Sequence, residues 1–93
     1  MTGAIVRRLM IRGRVQGVGF RYAFADEAQA RGLAGWVRNR RDGSVEAMIS
    51  GSGDDVEAMI AWARRGPPAA SVSSVQVSPA EGAFTGFDIA PTA

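Results

Sequence analysis

Gly13-Arg14-Val15-Gln16-Gly17-Val18-Gly19-Phe20-Arg21 is the segment whose residue types and spacing bear most directly on chemistry. It lies between an apolar run suited to a strand and a Gly- and Pro-free stretch suited to a helix. Backbone N–H groups in a glycine-rich turn can converge on one point, and a helix N-terminus adds positive potential there. Glycine also lets the backbone approach an anion closely. Arg21, at the start of the expected helix, supplies a guanidinium able to clamp two oxygens at once. Together these features describe a pocket for a phosphate-like dianion. The same spacing also fits a flexible connector beside a solvated arginine. It is not a P-loop, because no Gly-Lys-Ser/Thr follows, and Tyr22 stands where a dinucleotide fingerprint needs its third glycine.

The 93 residues contain no cysteine and no histidine. That excludes disulfides, thiolate nucleophiles, the commonest metal ligand and the commonest base near neutral pH. All 11 basic residues are arginine, so no Schiff-base lysine exists. Nine acidic residues leave a net charge of only +2, which permits nucleic-acid binding without demanding it. Chemistry must run on Arg, Asn, carboxylates, hydroxyls, backbone amides or water. No stretch approaches the roughly 18 apolar residues of a membrane span. The N-terminal residues lack the basic-then-apolar order of a signal peptide, so a soluble, cytoplasmic protein is expected.

Period-2 alternation predicts a strand over residues 5–12, with Ile5, Leu9 and Ile11 on one face, Arg7 among them, and Arg8 and Arg12 on the other. Phe20, Phe24 and Ala28 recur at i+4 through a helix over 21–31, and Gly32 sits where its cap belongs. Gly35–Asn39 and Ser44–Ser50 form two strands about an Asp42-Gly43 hairpin signal. Val56, Met59, Ile60 and Ala63 mark a second helix, Val72–Val77 a fourth strand and Gly86–Ile89 a short edge strand. The order strand, helix, strand, strand, helix, strand makes two split βαβ units. It predicts a ferredoxin-like α+β sandwich, an antiparallel sheet with two helices on one face. Residues 1–93 read as a single domain, ordered from about 5 to 89, with residues 1–4 and 90–93 frayed.

Gly13-x-Val15-Gln16-Gly17-Val18-x-Phe20-Arg21 resembles the first signature of the acylphosphatase family. Gly35-Trp36-Val37-Arg38-Asn39, followed by Gly43, Val45 and Gly51, resembles its second. The resemblance covers nearly the whole chain. It implies a ferredoxin-like fold that hydrolyses carboxyl-phosphate anhydrides to a carboxylate and inorganic phosphate, with no metal or cofactor. It also implies that Arg21 binds the phosphate, that Asn39 positions the attacking water, and that the N–H groups of Val15, Gln16, Gly17, Val18, Gly19 and Phe20 cradle the phosphoryl oxygens. By its neighbours alone, Asn39 reads first as a turn residue before Arg40-Arg41-Asp42-Gly43. Val15, Val18 and Phe20 are expected to anchor the loop on the core, while Gln16 either bonds backbone across the loop or faces water. No protein base is evident, and a substrate phosphate oxygen can take the proton instead.

Trp36 and Trp62 are expected to pack. Arg38, Arg40 and Arg41 form a basic cluster that steers anions or simply lines a solvated turn. Where the family often carries a basic residue after its last strand, Ala90-Pro91 follows Ile89, which puts a C-terminal contribution to the site in doubt. The expected partner is a small acyl phosphate, with no nucleic acid or membrane, and the expected state is a monomer. RNA-recognition domains share this topology, but the strands that would stack bases, 5–12 and 44–50, hold no aromatic residue. The alternative function is a non-catalytic phosphate- or anion-binding regulatory domain.

Overall fold

Side-chain alternation along β1 (Ile5–Arg14) decides which way the sheet faces. Leu9 and Ile11 are fully buried, whereas Arg8 and Arg12 lie on the opposite face. The computed structural model describes residues 4–93. In it β1 runs two residues beyond its expected end at Arg12, because a bulge between Arg12 and Gly13 shifts its register against β4 (Ser71–Pro79) and lets pairing continue to Arg14. Gly13, at φ +125°, is needed there, since a Cβ would run into the Ser71 carbonyl.

Helix α1 (Phe20–Ala30) buries Phe20, Phe24, Ala25 and Ala28, the stripe that the i+4 spacing predicts. It ends in a Schellman arrangement with Gly32 at φ +70°. There the Gly32 N–H donates to the Gln29 carbonyl and the Leu33 N–H to the Ala28 carbonyl. Strands β2 (Ala34–Asn39) and β3 (Val45–Gly51) form the expected hairpin, closed by the Gly43 N–H donating to the Arg40 carbonyl at 3.1 Å. Helix α2 (Gly53–Arg65) is capped by Ser52, whose hydroxyl accepts from the Asp55 N–H, and buries Val56, Met59, Ile60 and Ala63.

The sheet order is β4-β1-β3-β2-β5, where β5 is Phe87–Ile89. Four strands pair antiparallel, but β5 pairs parallel with β2, so the sheet is mixed rather than wholly antiparallel. The reason is topological: the chain leaves β4 at one edge and crosses to the other before adding its last strand. Phe87 fixes that strand by packing its ring 5.8 Å from Phe24. Both helices pack on one side of the sheet, and their apolar stripes meet Leu9, Ile11, Val37, Val45, Ala47 and Ile49 in a single core.

The tail departs from expectation. Residues 90–93 are not frayed: the Ala90 N–H donates to the Val37 carbonyl at 2.9 Å and the Ala93 N–H to the Asn39 carbonyl at 3.0 Å. Met1, Thr2 and Gly3 lie outside the described residues, and Ala4 is exposed. Among the described residues no helix is long and apolar enough to cross a membrane.

Candidate active site

The loop from Val15 to Gly19 is pinned at both ends and open in the middle. Val15 and Phe20 are each 1% exposed, and Val18 packs against the same core, as the sequence suggests. Gly17 and Gly19 stand at φ +73° and +76°, while every non-glycine among the described residues keeps a negative φ. A Cβ at either glycine would meet nothing within 4 Å. These glycines therefore serve the backbone angle rather than a tight fit. Left-handed residues alternating with ordinary ones turn successive N–H groups to one side, which is the geometry of an anion nest.

That loop runs into the N-terminus of α1. Gly19 is its left-handed N-cap, with no side-chain cap and no acidic residue in the first turn. The contrast with α2 is direct, since α2 has Ser52 as its cap and Asp54 and Asp55 in its first turn. The positive end of the α1 dipole and its orphan N–H groups are thus left without a counter-charge from their own helix. Arg21 sits in this same first turn, partly exposed, its guanidinium 5.7 Å from the Tyr22 ring centroid. None of the ion pairs among the described residues involves Arg21, so a pairing with Asp26 does not form.

Asn39 is the last residue of β2, on the same face as buried Val37. Its Oδ1 is buried and has no hydrogen-bond partner among the described residues. Leaving a buried acceptor unpaired costs about 1–3 kcal/mol, so such an atom calls for an explanation. Gln16 joins the two halves of the site. Its Nε2 donates to the Arg40 carbonyl at 2.7 Å and to the Ser44 carbonyl at 2.9 Å. The glycine loop is thereby fastened to the turn that begins directly after Asn39, and the Gln16 alternative is settled in favour of backbone bonding.

Two nearby carboxylates, those of Asp42 and Glu27, are engaged, whereas Asp26 is exposed and unpaired among the described residues. Asp42 accepts from the Ser44 hydroxyl at 2.5 Å and the Ser44 N–H at 2.9 Å, and these bonds hold its carboxyl below the usual range. Glu27 pairs with Arg31 at 2.8 Å. Among the described residues no three His, Cys, Asp or Glu side chains gather as metal ligands would.

One charged centre was not foreseen. Glu46 is 3% exposed and meets Arg8 at 2.6 Å, Arg38 at 2.8 Å and Arg40 at 3.0 Å. Burial alone would raise its pKa, but hydrogen bonds from the three guanidinium groups prevail and hold it below the usual value. Alternation places Glu46 on the sheet face away from the helices, where a solvated acid is the ordinary expectation. The signal was the register, since Arg38 lies directly across from Glu46. Two arginines of the basic cluster are therefore held by this acid. Arg38 also covers Trp36, its Cζ 4.6 Å from the ring centroid. Trp62 packs in the core as expected, 5.8 Å from both Phe20 and Phe24.

The family model Acylphosphatase matches residues 7–89, which include the loop, Arg21, Asn39 and all five strands but the first two residues of β1. The chain belongs to the acylphosphatase family. Acylphosphatase of Azoarcus sp. strain BH72 is 60% identical over 89 residues, covering 92% of this chain and 89% of that one. The crystal structure of acylphosphatase from Bacillus subtilis superimposes with a TM-score of 0.88 at 36% identity, over 92% of this chain and 98% of that one. Full-length HypF, solved in its phosphate- and nucleotide-bound form, matches 99% of this chain but only 12% of its own, with a TM-score of 0.90 at 29% identity. Membership makes the chain a hydrolase and bears out the ferredoxin-like fold.

Proposed function

We propose that this acylphosphatase hydrolyses small acyl phosphates at the junction of the glycine loop, Arg21 and Asn39, without a metal ion. The observation that carries the assignment of roles is the buried, unpartnered Oδ1 of Asn39 beside the turn to which Gln16 ties the loop. An acceptor held open in this way can take a hydrogen bond from a water, and the Asn39 amide can donate to the phosphoryl group as well.

The N–H groups of Val15 to Phe20, the α1 N-terminus and Arg21 bind the phosphoryl oxygens. Asn39 holds the water in line with phosphorus. The water oxygen bonds to phosphorus as the bond from phosphorus to the acyl oxygen breaks, and the carboxylate departs with that electron pair. The water proton passes to a phosphoryl oxygen, giving a carboxylate and dihydrogen phosphate. The carboxylate is a good leaving group, so positioning and electrostatic stabilisation supply the catalysis. The engagement of Asp42 and Glu27 agrees with a mechanism that needs no protein base. The size suits a monomer.

Hydrolysis of benzoyl phosphate in excess EDTA tests this reading. The parent is expected to turn over unaffected by EDTA, while Arg21→Ala and Asn39→Ala each lose about 100-fold or more in kcat. A well-folded parent that binds phosphate without turnover is instead an anion-binding regulatory domain.

A further inference from the structure

The Gln16 side chain reaches out of the loop to atoms 24 and 28 residues away in sequence. Its amide nitrogen carries two hydrogens, and the two acceptors, the Arg40 and Ser44 carbonyls, use both. It therefore has no donor left for a phosphate oxygen. Both acceptors also belong to one small unit, because the Arg40 N–H donates to that same Ser44 carbonyl at 2.8 Å. Gln16 thus grips the neck of the β2–β3 turn immediately after Asn39.

Among the described residues, the rest of the loop offers no other directional contact to fix its position relative to that turn. Around Gly17 and Gly19 the space where a side chain would stand is empty. Val15 and Phe20 anchor the loop in the core, to which the hairpin contributes Val37 and Val45, through apolar packing alone. Among the described residues, no other side chain of residues 13–20 makes a hydrogen bond to the hairpin.

We propose that Gln16 is a positioning residue, whose doubly donating amide sets the separation between the phosphate-binding N–H groups and Asn39, and so aligns the attacking water. This rests on the reading that Asn39 holds that water. A group that sets alignment, rather than touching the phosphate, acts on the rate and leaves binding largely alone. Misplacement of about 1 Å can cost on the order of 100-fold in rate.

Gln16→Met keeps the length of the side chain and removes both donors. It is expected to lower kcat for benzoyl phosphate about 10- to 100-fold, while the inhibition constant for inorganic phosphate moves less than about threefold. Gln16→Glu supplies a second arm that reads one protein in two protonation states. Its carboxylate faces two carbonyls and behaves like Met, but below roughly pH 5 the neutral acid regains a donor. Its kcat relative to the parent is expected to climb there. Parallel loss of kcat and phosphate affinity would make Gln16 a ligand or a scaffold and overturn the proposal, as would unchanged kcat or a flat pH ratio for Gln16→Glu. Asn39→Ala, run alongside, separates the two readings. If that variant keeps the parent's rate, the water-holding role falls; if it loses the rate while Gln16→Met keeps it, only the positioning role falls.

Discussion

The Ala93 N–H donates to the Asn39 carbonyl at 3.0 Å, and the Arg41 N–H donates to the Ala93 carbonyl at 2.8 Å. The tail thus clasps the backbone on both sides of the turn entrance, with Asn39 at its edge. Gln16 holds the same turn from the loop side. Truncation after Ile89 removes these bonds and the one from Ala90 to Val37. The stability change should be small, within about 2 kcal/mol, because ordering the tail costs nearly what its hydrogen bonds return. The expected effect is on rate: kcat for benzoyl phosphate falls about tenfold or more while the urea midpoint moves little. A truncated chain with the parent's kcat would show the tail to be a passenger.

Glu46 gives a pH signature. Its folded pKa lies below the ordinary glutamate value, so its contribution to stability is fully present above about pH 4.5 and is lost as pH falls through the folded value. Glu46→Gln keeps the shape but leaves three arginines without their shared acid. At pH 7 it should unfold about 1–3 kcal/mol more easily in urea. The gap between parent and variant should narrow as the pH is taken from 5 to 3. A gap that stays constant over that range would mean that packing, not charge, is what the substitution disturbs.

Gly17 and Gly35 separate two uses of glycine. At Gly17, φ is +73° and a Cβ would touch nothing, so Gly17→Ala should cost only the left-handed backbone penalty, about 1–2 kcal/mol, and shift the N–H cradle. At Gly35, φ is +134° and a Cβ would collide with the Met48 carbonyl on the paired strand. Gly35→Ala should cost about 3 kcal/mol or more, since strain and overpacking add. The expected contrast is a mildly destabilised Gly17→Ala with weakened phosphate binding against a Gly35→Ala whose urea midpoint falls much further, read by circular dichroism in urea and by phosphate inhibition. Equal stability of the two variants would contradict it.

What the residues reveal in advance follows from how local the cause is. The alternation of Leu9 and Ile11, the Phe20–Phe24–Ala28 stripe and the Gly32 cap depend on neighbours a few positions away, and each stands where its spacing puts it. The glycine loop and Arg21 are legible for the same reason, since strand, turn and helix are contiguous. Asn39 was not legible on its own, because an asparagine before a turn looks the same whether its Oδ1 faces water or lies buried and unpaired. The partners of Gln16 lie a whole helix and strand away, and only the assembled sheet brings them within reach. Glu46 follows the same logic, because its burial comes from arginines on two other elements and from the turn. The edge strand expected at Gly86–Ile89 forms as β5, but its parallel direction is not legible, because three residues carry too little periodicity to show it.

Arg21 offers a test of what a guanidinium contributes at the proposed site. No ion pair among the described residues holds it, and it stands in the first turn of a helix whose N-terminus carries no acid. If charge alone matters, Arg21→Lys should retain most of the activity, because an ammonium is an equal point charge. A planar fork, however, can bind two phosphoryl oxygens together and keep both bonds as negative charge shifts in the transition state. Arg21→Lys is therefore expected to fall about 10- to 100-fold in kcat/KM, short of the loss in Arg21→Ala. It should also weaken phosphate inhibition, unlike Gln16→Met, because in the proposed site the Arg21 side chain contacts the anion and the Gln16 side chain does not. Steady-state kinetics on benzoyl phosphate with inorganic phosphate as inhibitor separates the cases. Parent-like kcat/KM in the lysine variant would reduce the role of Arg21 to electrostatic attraction alone.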